Sequence, residues 1–139
     1  MSRFVLDASV AVGWFVDQPI SPLAVHVRDA LLGGSKGIVP AFWHLEVANG
    51  LLVAERRGLV SAEDTEQSVA YLEQLLRSAI ETDVRFVRVS QAADMARRTG
   101  LTPYDVAYLD LCRAERAPLA TLDQRQKAAA VRAGVELLR

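Results

Sequence analysis

The chain has 139 residues, 51% of them hydrophobic, with a mean hydropathy of +0.15 and a formal net charge of −1. That length suits one domain (1–139) with a sizeable core; no apolar run reaches the ~18 residues of a membrane span, and the charge is not that of a protein that coats nucleic acid. One cysteine, Cys112, excludes an internal disulfide and, with only two histidines, a Cys/His zinc site. A cytoplasmic protein is the expectation, since Asp7 interrupts the N-terminus too early for a signal peptide.

Along the chain, three short apolar runs read as buried strands: Phe4–Leu6, Ile38–Val39 and Leu119–Leu122. Phe86–Val89 and Val135–Leu138 are weaker strand candidates. Between them lie stretches of helical period. Ala41 to Arg57 follows Pro40 and stops before Gly58, a clear start and end. Ser61-Ala62-Glu63-Asp64 is a capping box opening a long helix to about Glu81. Thr102 caps a further helix with Pro103 at its first position. Asp123 precedes a run of strong helix formers, Gln124 to Ala130. No repeat or linker is visible. This alternation predicts an α/β fold with a mainly parallel sheet and helices on both faces.

In such folds ligands bind beyond the carboxyl ends of the strands. Asp7 and Asp123 each directly follow a strand. Glu46 lies in the second turn, and Asp105 in the first turn, of a helix that starts from the same edge. Four acids distant in sequence therefore map to one rim. Each also has a local reading. Asp7 and Asp123 are good N-caps, Asp105 completes the cap begun by Thr102, and Glu46 suits a solvated helix face. On a helical wheel Phe42, Leu45, Ala48, Leu52 and Val53 form an apolar face, with Asn49 in its middle and Glu46 at its edge. An inward Asn49 needs a partner, and Glu46, one turn away, is a candidate; a bond to backbone is the alternative. Tyr108, Leu109 and Cys112 continue an inward stripe below Asp105, where Cys112 reads as a small core residue.

Carboxylates that converge repel one another unless a cation joins them. Oxygen ligands select a hard ion, Mg²⁺ or Mn²⁺. His26 and His44 lie off the rim and read as structural or surface residues. Such a nest suits phosphate chemistry. The sequence lacks a Walker lysine motif, a dinucleotide glycine fingerprint, a Ser–His–Asp set and a cysteine nucleophile beside a base.

Val5-Leu6-Asp7-Ala8-Ser9, Glu46-x-x-Asn49, Thr102-Pro103-Tyr104-Asp105-Val106-Ala107-Tyr108-Leu109 and Thr121-Leu122-Asp123 together resemble the ordered motifs of PIN-domain ribonucleases. The short length resembles the VapC-type toxins of bacterial toxin–antitoxin pairs. The resemblance covers essentially the whole chain. It implies a PIN-like fold and a Mg²⁺/Mn²⁺-dependent endoribonuclease that hydrolyses RNA in line to leave a 5′-phosphate. It implies Asp7, Glu46, Asp105 and Asp123 as catalytic metal ligands, with Ser9, Asn49 and Thr121 orienting them. It further implies a homodimer and a cognate antitoxin partner. One departure is Gln126, where members often carry an apolar residue three positions after the last acid. Asp110 is not a motif position.

RNA contacts are less legible. All of the 16 basic residues except Lys36 and Lys127 are arginine, a donor suited to phosphate, but codon bias gives the same composition. Arg56, Arg57, Arg97, Arg98, Arg113, Arg116 and Arg125 are the candidates. Trp14 and Trp43 read first as core, second as stacking residues. Two other classes are weighed. A phosphoryl-transfer protein with Asp7 as acceptor lacks the second acid that dehalogenase-like phosphatases carry, Ser9 standing there instead. It also lacks the acidic pair and late lysine of receiver domains. A non-cleaving PIN-like module that binds RNA or protein is the alternative function, against which stands the presence of all four acids.

Overall fold

The computed structural model describes residues 2–139. Four strands form one parallel sheet: β1 (Arg3–Leu6), β2 (Lys36–Pro40), β3 (Ile80–Asp83) and β4 (Leu119–Ala120), in the order β3-β2-β1-β4. Seven helices complete the described residues: α1 (Ala8–Val16), α2 (Pro22–Leu32), α3 (Trp43–Arg56), α4 (Ala62–Ser78), α5 (Val89–Thr99), α6 (Pro103–Glu115) and α7 (Gln124–Arg132). The expected parallel α/β architecture is what forms, around one contiguous core that runs from Phe4, Val5 and Leu6 through Val39 and Leu51 to Leu119. The core strands are apolar on both faces, as strands covered on two sides must be.

The strand order places the site. From β1 the chain steps outward to β2 and β3, then returns past β1 to lay β4 on its other side. With right-handed crossovers, the connections leave β1 and β4 on opposite faces. The crevice between these two strand ends is therefore the topological switch point, where open α/β sheets bind ligands. Asp7 and Asp123 are the residues that leave those strands as helix N-caps.

Four local expectations need correction. The long helix stops at Ser78, and Ile80–Asp83 is a parallel strand. Only Ile80 of that strand is buried, so it shows no apolar run. Phe86–Val89 is not a strand: its first three residues are loop and Val89 opens α5. Val135–Leu138 pairs through one bridge, Leu119 with Leu137. Leu119–Leu122 is a strand only to Ala120; Thr121 lies just beyond it and donates its hydroxyl to Asp7.

The buried face of α3 is also the opposite of the one expected. Trp43, Val47, Leu51 and Ala54 are buried, whereas Leu45 is 74% exposed and Ala48, Asn49 and Leu52 face solvent. The helix packs on α1 with Gly50 against Val12: a Cβ at Gly50 would lie 2.7 Å from Val12 Cγ2. Valine is stiff about χ1 and cannot yield cheaply. Gly50→Val is expected to destabilise the protein by about 1–3 kcal/mol through overpacking, read as a lower urea midpoint at an unchanged slope.

Candidate active site

Asp7 is buried at the end of β1, and one of its oxygens is heavily engaged. The Ser9 hydroxyl donates to Oδ2 at 2.5 Å, the Thr121 hydroxyl at 2.9 Å and the Ser9 backbone N–H at 3.3 Å. These hydroxyls are fixed in turn, since Ser9 Oγ accepts from the Leu122 N–H at 3.0 Å and Thr121 Oγ1 from the Asp123 N–H at 3.1 Å. The network ties the end of β4 to the end of β1. Asp123 caps α7, its Oδ1 accepting from the N–H groups of Arg125 and Gln126. Both strand-end acids are thus N-caps and rim acids at once.

Glu46 comes from α3 and is bound by a residue that its sequence pattern places only on an inward stripe. Tyr108 donates its hydroxyl to Glu46 Oε1 at 2.5 Å and accepts the Ala8 N–H at 3.3 Å. One buried phenol therefore fixes Glu46 to the first residue of α1, next to Asp7. The spacing Asp105–Tyr108, one helical turn, puts Tyr108 on the side of α6 that carries Asp105, but does not indicate its partners. Asp105 sits in the first turn of α6, whose start Thr102 caps by accepting the Asp105 N–H at 3.1 Å.

Each acid keeps at least one oxygen without a hydrogen bond from any described residue: Oδ1 of Asp7, Oε2 of Glu46, Oδ2 of Asp123 and both oxygens of Asp105. Asp105 Oδ2 is buried without a hydrogen-bond partner, the arrangement that costs most in a folded protein. Arg125 Nη2 lies 3.5 Å away, a charge contact too long to count as a good hydrogen bond.

Electrostatics agree with a cluster. Burial raises the pKa of Asp7 above its ordinary value, its hydrogen bonds lower it in part, and the charge of Asp123 raises it further. Burial likewise raises Glu46, against the Tyr108 hydrogen bond and with the charges of Asp7 and Asp105. Tyr108 is raised as well, by burial first, so its proton stays on the phenol. No three acids, histidines or cysteines among the described residues stand close enough to hold an ion as they are. The donors themselves fit a hard divalent cation: an all-carboxylate set, an orphaned buried oxygen on Asp105, and raised pKa values that a cation would relieve.

Other expectations find their places. Ser9 and Thr121 both hold Asp7. Asn49 does not turn inward; it is exposed and makes no side-chain hydrogen bond to a described residue. His44 bonds Thr82, and His26 is exposed on α2. Trp14 and Trp43 are buried in the core. Burial pushes the Cys112 thiol up to about 12, which leaves it inert. Of the candidate arginines, Arg125 is the one beside an acid of the cluster.

Gln126 is fully buried on the inner side of α7, and its Oε1 has no partner. The helix seats despite the polar side chain. Gln126→Leu should therefore stabilise the protein by about 1–2 kcal/mol, because it removes an unpaired buried acceptor at similar volume. A thermal melt of the two proteins tests this, and an unchanged or lower midpoint would count against it.

Comparison with known proteins gives the same fold. The PIN domain family matches residues 4–132. No curated protein matches the sequence. Among solved structures, PAE2754 from Pyrobaculum aerophilum superposes with a TM-score of 0.67 at 18% identity, over 92% of this chain and 84% of that one. FitAcB from Neisseria gonorrhoeae gives 0.60 at 19%, over 98% and 96%. A domain of a functionally unknown protein from Methanocaldococcus jannaschii gives 0.55 at 16%, over 100% and 92%. Identities this low carry the fold alone.

Proposed function

The chain belongs to the PIN-domain family, whose members are typically nucleases that use divalent metals, and from that premise we propose that it is a Mg²⁺/Mn²⁺-dependent endoribonuclease, the VapC-type toxin of a toxin–antitoxin pair. One observation carries the reading. Four acids from four separate segments lie around the switch point of the sheet, each with an oxygen left unengaged.

Asp7, Glu46, Asp105 and Asp123 are the residues that would hold the metal. When bound, Mg²⁺ would make a water nucleophilic near neutral pH and neutralise charge on the phosphate and the leaving oxygen. The protein's own part is positioning. Ser9 and Thr121 fix the Asp7 carboxylate through Oδ2 and leave Oδ1 free of hydrogen bonds. Tyr108 keeps its proton on the phenol and holds Glu46 by one oxygen. The caps on α6 and α7 fix Asp105 and Asp123 at the positive ends of those helices. Asn49 would join this set only through a change of side-chain direction.

The toxin reading rests on the motif resemblance, and with it come a cognate antitoxin and a homodimer. The exposed apolar side chains Leu45, Leu52 and Leu59 on and after α3 offer surface for a protein partner. No described helix is long and apolar enough to cross a membrane.

The test is cleavage of total cellular RNA by the purified protein, freed of any copurifying partner. Discrete fragments are expected with Mg²⁺ or Mn²⁺ and none with excess EDTA. Cleavage that persists in EDTA would overturn the metal-site reading. Absence of cleavage by folded, metal-loaded protein would favour the non-cleaving binding module.

A further inference from the structure

A groove of about 490 Å³ lies beside the acids but does not itself hold them. Its walls are the carboxyl ends of β2 and β3, the loop after β3 and one face of α6. Phe42, Phe86, Val87 and Tyr104 line it, with Asp83, Arg85, Gln91 and Asp110 as its polar and charged groups. The apolar side chains are unusually open: Phe86 is 86% exposed and Tyr104 59%.

The groove and the acid cluster share a wall. Phe42 lies edge-on to Tyr104 at 5.1 Å and to Tyr108 at 5.5 Å. Tyr108 is the phenol bonded to Glu46. Tyr104 immediately precedes Asp105 on α6, and Phe42 precedes by one turn the Glu46 of α3. Whatever fills the groove sits next to the phosphate that the acids would handle.

Charge cannot provide the affinity there. The protein's net charge is −1, and Arg85 is paired with Asp83 at 2.9 Å and with Glu115 at 3.6 Å. With no net positive charge to draw RNA in, contacts other than those to phosphate must contribute in this groove. Aromatic faces supply these for unpaired bases, with tolerance of sequence. Duplex bases are already stacked and cannot enter.

We propose that this groove is a nucleobase subsite: it takes an unpaired base flanking the scissile phosphate and stacks it against Phe86 and Tyr104. The substrate is then single-stranded or looped RNA. The inference rests on the nuclease reading for its occupant. A second copy of the chain is the competing occupant, and the experiment below separates the two.

The experiment measures binding in EDTA, so that no cleavage is needed. The probe is a short single-stranded uridine oligonucleotide with one fluorescent aminopurine base, whose emission is quenched on stacking. Saturable quenching is expected with the single strand and not with the same strand in a duplex. Phe86→Ala, a substitution at an exposed site, should weaken binding by about tenfold, as should Tyr104→Leu, whereas Tyr104→Phe should retain it. Unchanged binding and KM in Phe86→Ala and Tyr104→Leu, in a protein that still cleaves RNA, would overturn the subsite and leave the nuclease intact. A wild-type dimer made monomeric by Phe86→Ala, with RNA binding unaltered, would assign the groove to a second copy instead. Aromatic-dependent binding in a protein that never cleaves would keep the subsite and remove the nuclease reading.

Discussion

Asp7→Asn is expected to abolish RNA cleavage while making the metal-free protein more stable at neutral pH. The geometry permits so clean a result. An asparagine oxygen can accept the same three hydrogen bonds from Ser9 and Thr121 that Asp7 Oδ2 accepts, and asparagine caps a helix as well as aspartate does. What is lost is the charge on the free oxygen. Removing residues that merely orient metal ligands costs about 10–100-fold, so loss of a ligand itself should cost about a hundredfold or more.

The stability effect has a definite sign. Burial raises the pKa of Asp7 in the fold above 3.8, and the charge of Asp123 adds to it. Between the unfolded and folded pKa values the native state binds more protons than the unfolded chain. Stability therefore falls as pH rises through that window and is flat above it. At neutral pH the wild type carries the whole penalty, and the asparagine variant carries none of it. The variant should be the more stable protein at neutral pH, and the difference should vanish once the pH falls below the ordinary carboxylate range. Mg²⁺ should raise the melting temperature of the wild type and have little effect on the variant. Equal melting curves for both proteins at every pH, with and without Mg²⁺, would remove Asp7 from the site.

Tyr108→Phe should be the most damaging change outside the acids. The phenol is almost fully buried and serves two groups, Glu46 and the Ala8 N–H. Without it a buried N–H at the start of α1 is left unpaired and Glu46 loses its tether. The first effect should cost about 1–3 kcal/mol. The second should weaken Mg²⁺ binding or turnover by about 10–100-fold. Calorimetric Mg²⁺ titration of the folded variant separates the two. A variant that is less stable yet binds Mg²⁺ like the wild type would make Tyr108 a purely structural residue.

Much of this site is legible in the amino-acid sequence. Asp7 and Asp123 follow apolar strands, and Thr102-Pro103 marks the start of the helix that carries Asp105. Caps and short apolar runs are local features, so the sequence by itself determined the parallel α/β class and the placing of Asp7, Asp105 and Asp123 at helix starts. Features without a local signal are not legible in this way. β3 is an edge strand with one buried side chain, so it blends into the preceding helix. α5 buries no residue fully.

Other choices belong to the tertiary structure alone. Both sides of α3 carry apolar residues, and a helical wheel cannot say which of two such faces turns inward. The close fit of Gly50 on Val12 goes with the Trp43–Val47–Leu51 face packed inward, and Asn49 is thereby turned to solvent. Tyr108 joins Glu46 to Ala8 across 62 and 100 residues of chain, a link that no spacing encodes. Local sequence fixes where elements begin and end, because caps and periods act within a turn or two. Which faces meet, and which hydroxyl reaches which carboxylate, is decided only when distant segments compete for the same buried space.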